Sequence, residues 1–392
     1  MKIKSYLTSV ALMLTSQVST ANQEPIILDK YLSPYSGSSL IQNFNEIYKS
    51  LDDRYLLSSA GKTNFIWVTA RFSKLLIETI FAEFLTTAQH EIFGHGYRGR
   101  EFRFSKIMYR VGIGSGYTAF YMKDYNRLTL NQKAAFSAAG NEANTILAQQ
   151  LRATWLKNNL IDNRDATLYY ANQFEQIKYV YITKEYSSNS NDIIGYMKNI
   201  NAWHGNNTTL TLNKLRLSVL WDLLDPALYN SLSSIGSYLV TGKQQEQLFM
   251  FTVGRYKYLP SARTLFTPWG LEYQLQNYIK TPTQELIQVN LRYGKTSSVS
   301  SYGLDLHIKP IWSYKHFTFG NKLSLWKQPK LGLALASLAP TSYGIAEYIN
   351  IEYAYNKIFS LYGEIGYKTA GYIPGNPLEN GVVYGAGFTI NL

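Results

Sequence analysis

Residues 90–96 read His90-Glu91-Ile92-Phe93-Gly94-His95-Gly96. Two imidazoles and a carboxylate this close together are what a hydrolytic metal centre needs. Neutral ring nitrogens hold a divalent cation, and the carboxylate takes a proton from a nearby water. The chain has 5 histidines in 392 residues, so two of them bracketing a glutamate is a concentrated signal. It has no cysteine, which excludes thiolate ligands and leaves nitrogen and oxygen donors. Zinc is the expected ion. The plain alternative is a helix end whose histidines make structural hydrogen bonds.

Position on a helix decides whether the two rings can share one ion. At about 100° per residue, a separation of four residues leaves two side chains on one face, whereas a separation of five swings them about 140° apart. The stretch from Phe65 to His90 has helical periodicity, with Arg71, Lys74 and Glu78 on one face and most apolar residues elsewhere. Its charges argue against a membrane span, so a buried amphipathic helix is expected to lead into the motif. A one-residue π-bulge must absorb the extra residue between His90 and His95, and Gly94 is where the distortion is expected to be tolerated.

His90-Glu91-Ile92-Phe93-Gly94-His95 resembles the HExxGH motif of the dipeptidyl peptidase III family of zinc peptidases. The resemblance implies that His90 and His95 are zinc ligands, that Glu91 is the general base, and that a glutamate on a later helix completes the site. By position that glutamate is Glu142, with Glu101 as a rival. Asn141-Glu142 also resembles the start of the third-ligand motif in thermolysin-like peptidases. The shared site chemistry covers about six residues and one glutamate, so it implies reaction type rather than substrate. His204, Tyr97 and Arg98 are candidates to stabilise an oxyanion.

Other elements frame these residues. Gly112, Gly114 and Gly116 alternate through an extended stretch that could pair with a substrate backbone. Thr129 and Gln132 form a capping box that opens a helix over about 130–156. Its middle, residues 134–143, is nearly all small, which permits a second helix to approach closely. Residues 165–240 are expected to be mostly helical.

From Gln247 the apolar period falls from 3.6 to 2. Tyr302, Leu304, Leu306 and Ile308 alternate with Gly303, Asp305, His307 and Lys309, and Val382, Tyr384, Ala386, Phe388 and Ile390 repeat the pattern. Eight strands are expected, at about 247–258, 263–279, 285–295, 300–312, 315–326, 343–354, 357–369 and 381–392. Their number and lengths, with alternately short and long connections, resemble outer-membrane β-barrel proteins. A soluble antiparallel sandwich is the competing architecture.

Composition supports a membrane surface. Tyr is used 33 times against 18 Phe and 7 Trp, and only 16% of residues are charged. Tyrosine suits a surface that is half lipid and half water. The net charge of +12 comes from scattered Lys and Arg, which speaks against nucleic acid as a partner and for anionic lipid or polysaccharide. Residues 1–21 read as a signal peptide, with Lys2 and Lys4, a short apolar run and Ser19-Thr20-Ala21 before the cut.

The expected organisation is therefore α+β: a signal peptide over 1–21, an N-terminal arm over 22–60, a mainly helical, zincin-like domain over 61–243 and an eight-stranded antiparallel outer-membrane β-barrel over 244–392. The helical domain is expected in the periplasm. The expected function is an outer-membrane-anchored, zinc-dependent hydrolase of peptide or protein substrates, with outer-membrane lipid as its other partner. A non-catalytic barrel with a structural metal, serving adhesion or envelope assembly, is the alternative.

Overall fold

The computed structural model describes residues 25–55, 60–187, 191–205, 208–297, 299–356 and 358–390. The expected signal peptide lies outside them. Chain order begins with strand β1 (Ile26–Asp29) and helices α1 (Pro34–Tyr55) and α2 (Phe65–Ala88). A π-helical turn over Gln89–His95 continues into α3 (Gly96–Glu101), followed by the hairpin β2 (Ile107–Val111) and β3 (Gly116–Phe120). Next come α4 (Met122–Asn126), α5 (Leu130–Asn158), β4 (Leu160–Asp162), α6 (Asn163–Ile182), α7 (Asp192–Trp203), α8 (Leu212–Val219) and α9 (Pro226–Thr241). The remainder is β5 (Gln245–Gln247), β6 (Phe251–Val253), β7 (Tyr256–Thr267), β8 (Gly270–Lys280), β9 (Leu286–Thr296), β10 (Val299–Tyr314), β11 (Phe317–Pro329), β12 (Thr341–Ala354), β13 (Phe359–Lys368) and β14 (Gly381–Ile390).

The eight long strands β7 to β14 pair in sequence order, all antiparallel, as the alternating pattern requires. Two expectations are corrected. The first two strands are partitioned differently: β7 and β8 meet at a tight turn over 268–269, where Gly270 takes a φ of 144°. The sheet also does not close into an eight-stranded barrel. It has 10 strands in the order β1-β14-β13-β12-β11-β10-β9-β8-β7-β6, and β1 and β6 are left as edges. Helices take up the opening: α1 packs on β1, Lys74 of α2 pairs with Asp52 of α1, and α9 touches both α2 and β7.

Helices and sheet share one interior. Helix α5 begins with the expected capping box, Thr129 with Gln132, and runs along the concave face of the sheet. Gln149 reaches Gln274 at 3.4 Å, Arg152 reaches Gln276 at 2.5 Å, and the Lys280 ammonium donates to the Leu156 carbonyl at 3.0 Å. The inward strand positions are polar and buried. Arg292 lies between Glu272 and Asp305, at 3.3 and 3.1 Å. The helical region therefore packs against the inward face of the sheet, with a cavity of about 440 Å³ between them, an arrangement that the sequence alone leaves open.

The outward positions have the opposite character. Leu275, Leu291, Leu304, Ile345, Ile349 and Ile365 are all exposed. Tyr273, Tyr293 and Tyr302 stand side by side across β8, β9 and β10, at the end of the sheet with the long connections. Near the other end, Trp312 faces Phe319, while Tyr314 faces Phe317, which faces Tyr353.

Helix α2 continues this inversion. Asn64 caps it by accepting the Trp67 N–H at 3.2 Å. Its charged face is the buried one: Arg71 donates to the carbonyls of Leu239 and Val240, and Glu78 accepts from Asn163. Its apolar face, from Phe65 through Phe72, Leu76 and Ile80 to Phe84, is exposed. The expected amphipathic helix is present, but turned inside out. Among the described residues no helix is long and apolar enough to cross a membrane by itself.

Candidate metal centre

The spacing of five is resolved as the sequence requires. Residues Gln89–His95 form a π-helical turn, which holds one more residue per turn than an α-helix. The two rings converge, with 3.2 Å between His90 Nε2 and His95 Nε2. Gly94 has a different task from the one expected. Its φ is not positive. A Cβ there would lie 2.6 Å from the Ala139 carbonyl and 2.7 Å from Gly140 Cα. Glycine is needed because the π-turn crosses α5 backbone to backbone. Gly140 serves the same crossing, since a Cβ on it would lie 2.1 Å from His90 Nε2. The small-residue run of α5 is thus the seat of the motif.

The third group is Asp192. Its Oδ2 lies 3.1 Å from His90 Nε2 and 3.1 Å from His95 Nε2, and these three residues offer donor atoms that all lie within 4.8 Å of one another. Asp192 occupies the first turn of α7, behind the Asn191 cap, where the helix's positive end favours a carboxylate.

Glu142 is not in this cluster, and the expectation that it is the third ligand is corrected. Its carboxylate accepts from Arg98 Nη2 at 2.9 and 3.1 Å and from the Gly375 N–H at 2.5 Å. Glu101, the rival, accepts from Arg98 Nη1 at 2.6 Å and from the Leu378 N–H at 2.5 Å. Arg98, with a fully buried side chain, takes both glutamates out of reach of a metal. Tyr97 is also buried, and His204 bonds the Trp269 carbonyl at 3.1 Å.

Donor set and orientation fit a small divalent cation. His95 Nδ1 bonds the Phe136 carbonyl at 2.9 Å, which fixes the ring with Nε2 toward Asp192. His90 Nδ1 faces the side-chain amide of Asn144 at 3.4 Å. The donor triangle has edges of 3.1, 3.1 and 3.2 Å. A point about 2.0–2.1 Å from each corner, the zinc–nitrogen and zinc–oxygen range, subtends about 100° between donors, close to tetrahedral.

Electrostatics agree with the geometry. Burial lowers the His95 pKa, but the Asp192 carboxylate outweighs it and the ring is pushed up to about 9. Burial works against the Asp192 charge, yet His95 and His90 hold it well below the usual carboxylate range. Burial, then Asp192, pushes the Tyr179 hydroxyl up. That hydroxyl donates to Asp192 Oδ2 at 3.2 Å, and so reaches the centre as a neutral donor.

Glu91 lies in the same cleft, of about 920 Å³, as the triad. Its Oε2 accepts from the Thr118 hydroxyl at 2.7 Å, which ties it to β3. Gly116 makes room for this, because a Cβ there would lie 2.8 Å from Glu91 Cγ. Strand β3 lines the cleft, and among the described residues it pairs only with β2, so its other edge is open.

Sequence reasoning found His90, Glu91 and His95 and missed Asp192 and Tyr179. The one local signal for Asp192 is the Asn-Asp pair opening a helix, which is common at helix starts.

No family model matches the chain and no curated protein matches it. Among solved structures, the NanC porin in a rhombohedral crystal form is similar at a TM-score of 0.26 and 14% identity, over 37% of this chain and 76% of the porin. A superposition this loose carries no argument.

Proposed function

We propose that this protein is a zinc-dependent hydrolase of peptide amides, held in the outer membrane by its sheet. The observation that carries the catalytic part is the triangle of His90, His95 and Asp192 with Glu91 in the same cleft. A divalent ion held by the three side chains would supply a Lewis acid that polarises a carbonyl and acidifies a water. Glu91 accepts the proton of the attacking water and returns it to the leaving amine. Thr118 keeps the Glu91 carboxylate in place. Tyr179, whose O–H bonds Asp192 Oδ2 in the metal-free centre, turns that O–H to the oxyanion that develops on the attacked carbonyl. The open edge of β3 aligns an extended peptide by main-chain hydrogen bonds.

The membrane part is supported by the inverted sheet and its aromatic rows. Tyr302 and Trp312, ten residues apart on β10, mark the two rows. Because β10 bulges between Ile308 and Trp312, the rows are eight residues apart on β11, from Lys327 to Phe319. At about 3.3 Å per residue and a tilt of about 40° they stand about 20 Å apart, somewhat less than the ~25 Å apolar band of outer-membrane barrels. Exposed aliphatic side chains occupy the space between them.

The test is metal analysis and peptide hydrolysis on detergent-purified protein. One bound zinc per chain is expected, lost in His90→Ala. Glu91→Gln should keep the metal and lose at least about 100-fold in turnover, the scale of a general base. A Glu91→Gln protein that hydrolyses peptides at the wild-type rate, or a wild-type protein that binds no metal, overturns the reading.

A further inference from the structure

One side of the mouth of the metal cleft is apolar, although its floor is charged and Glu83, Glu175, Lys178 and Lys198 line it elsewhere. Tyr117 and Met122, beside the β2–β3 hairpin, and Ile182, at the end of α6, line the cleft. They are nonetheless exposed, Met122 by 61% and Ile182 by 64%. Ile113 at the hairpin tip is exposed by 60%, and Ile80 and Phe84 of α2 are exposed too. A mouth that opened into water would leave this contiguous patch without a partner.

Helix α2 matches one covering surface in length, a bilayer. Its exposed apolar stripe runs from Phe65 to Phe84, which at about 1.5 Å per residue spans about 29 Å. The hydrocarbon core of a bilayer is about 30 Å thick. His90 follows Phe84 by six residues, so the metal centre lies about 9 Å past the end of the stripe, at the depth where lipid headgroups begin. With the stripe aligned along the bilayer normal, the apolar mouth would adjoin hydrocarbon and the triad would sit at the polar boundary.

We propose that the cleft is loaded from the bilayer, and that its substrate is a peptide anchored by a long acyl chain. The chain lies against α2 and the β2–β3 hairpin. The adjoining peptide, held at headgroup depth by its anchor, enters along β3 and presents an amide to the triad and Glu91. This rests on the hydrolase reading and names the substrate class for the same centre.

Two measurements test it. The chain has no native cysteine, so single cysteines can carry a fluorophore. Labels at Ile80→Cys, Ile113→Cys and Met122→Cys, in liposomes, should be quenched by doxyl-labelled phosphatidylcholine as strongly as a label at Leu291→Cys on the outer face of the sheet. A label at Thr283→Cys, in an exposed turn, should be quenched by aqueous iodide instead. Mouth labels that behave like the Thr283→Cys label overturn the proposal without touching the hydrolase reading. Second, two pools of random hexapeptides, alike except for an N-terminal palmitoyl or acetyl group, are offered to the zinc-loaded protein in liposomes, with Glu91→Gln as blank. The palmitoyl pool should be cleaved at least about tenfold faster, because the anchor concentrates it at the mouth. Equal rates overturn the acyl-chain proposal and leave a general peptidase. Hydrolysis of neither pool overturns both readings.

Discussion

Replacing Gly140 by alanine tests whether the crossing of the π-turn over α5 creates the metal centre. The new methyl would lie 2.1 Å from His90 Nε2, where ordinary contact begins at 3.4 Å. The ring must then retreat by 3.4 minus 2.1, or 1.3 Å. Metal–ligand distances tolerate only about 0.2 Å of error, so His90 should be lost as a ligand. We expect zinc affinity to fall at least about 100-fold, or ~2.8 kcal/mol. Stability should change far less. Alanine gains about 1 kcal/mol over glycine in a helix interior, against a local overpacking cost of about 1–3 kcal/mol. Competition with a chromophoric chelator reads the affinity, and thermal unfolding of the metal-free protein reads the fold. Wild-type affinity in a folded Gly140→Ala protein would refute the reasoning, because it would mean that His90 does not depend on the gap left by Gly140.

Three further outcomes are expected. Asp192→Ala should abolish tight zinc binding in a folded protein, while Glu142→Ala should keep the metal but lose about 1–3 kcal/mol of stability, because Arg98 Nη2 and the Gly375 N–H lose their acceptor while Glu101 still pairs with the guanidinium; zinc binding by Asp192→Ala would return the third-ligand role elsewhere. Since His95 is raised to about 9 by Asp192 in the metal-free protein, zinc must displace a proton below that pH, and affinity measured from pH 6 to 9 should rise about tenfold per unit; a flat profile would contradict the coupling. The Glu46 carboxyl, in α1, is pushed up to about 7 by burial and by Asp165, with Lys49 offsetting part of this. A raised folded-state pKa gives stability that is complete below the unfolded value and lost as pH rises through 7, so Tm should fall between pH 5 and pH 8, and Glu46→Gln should flatten that slope.

What the sequence made legible was local. The five-residue spacing required a π-bulge, and Gln89–His95 is one. Thr129 and Gln132 announced a capping box, and the period of 2 located six of the eight long strands, β9 to β14, while running β7 and β8 together. Each of these depends on neighbours within one turn or one pleat. The misreadings involve partners far apart. Arg98 sits three residues after His95, and nothing at that distance tells that it will claim Glu142, 44 residues on. Asp192 reaches His95 across 97 residues through the packing of α7. The charged stripe of Arg71, Lys74 and Glu78 was identified, but its direction depended on Asp52, Asn163 and the carbonyls of Leu239 and Val240, which give it partners inside. Closure of the barrel failed for a related reason: α5 packs along the inward face of the strands and occupies space that a closed eight-stranded barrel would need.

The knot around Arg98 also constrains how the molecule can be made. Its two glutamates bind the backbone of Gly375 and Leu378, in the connection between the last two strands, and β14 pairs with β1 from the opposite end of the chain. A wall assembled one hairpin at a time, with helices added afterwards, could not seat that connection, because its anchors would be missing. The final hairpin and the helices therefore depend on one another for their seating. Contacts that join residues 101 and 378 are of the long-range kind that slows folding, because a loop of that length must be closed before they form.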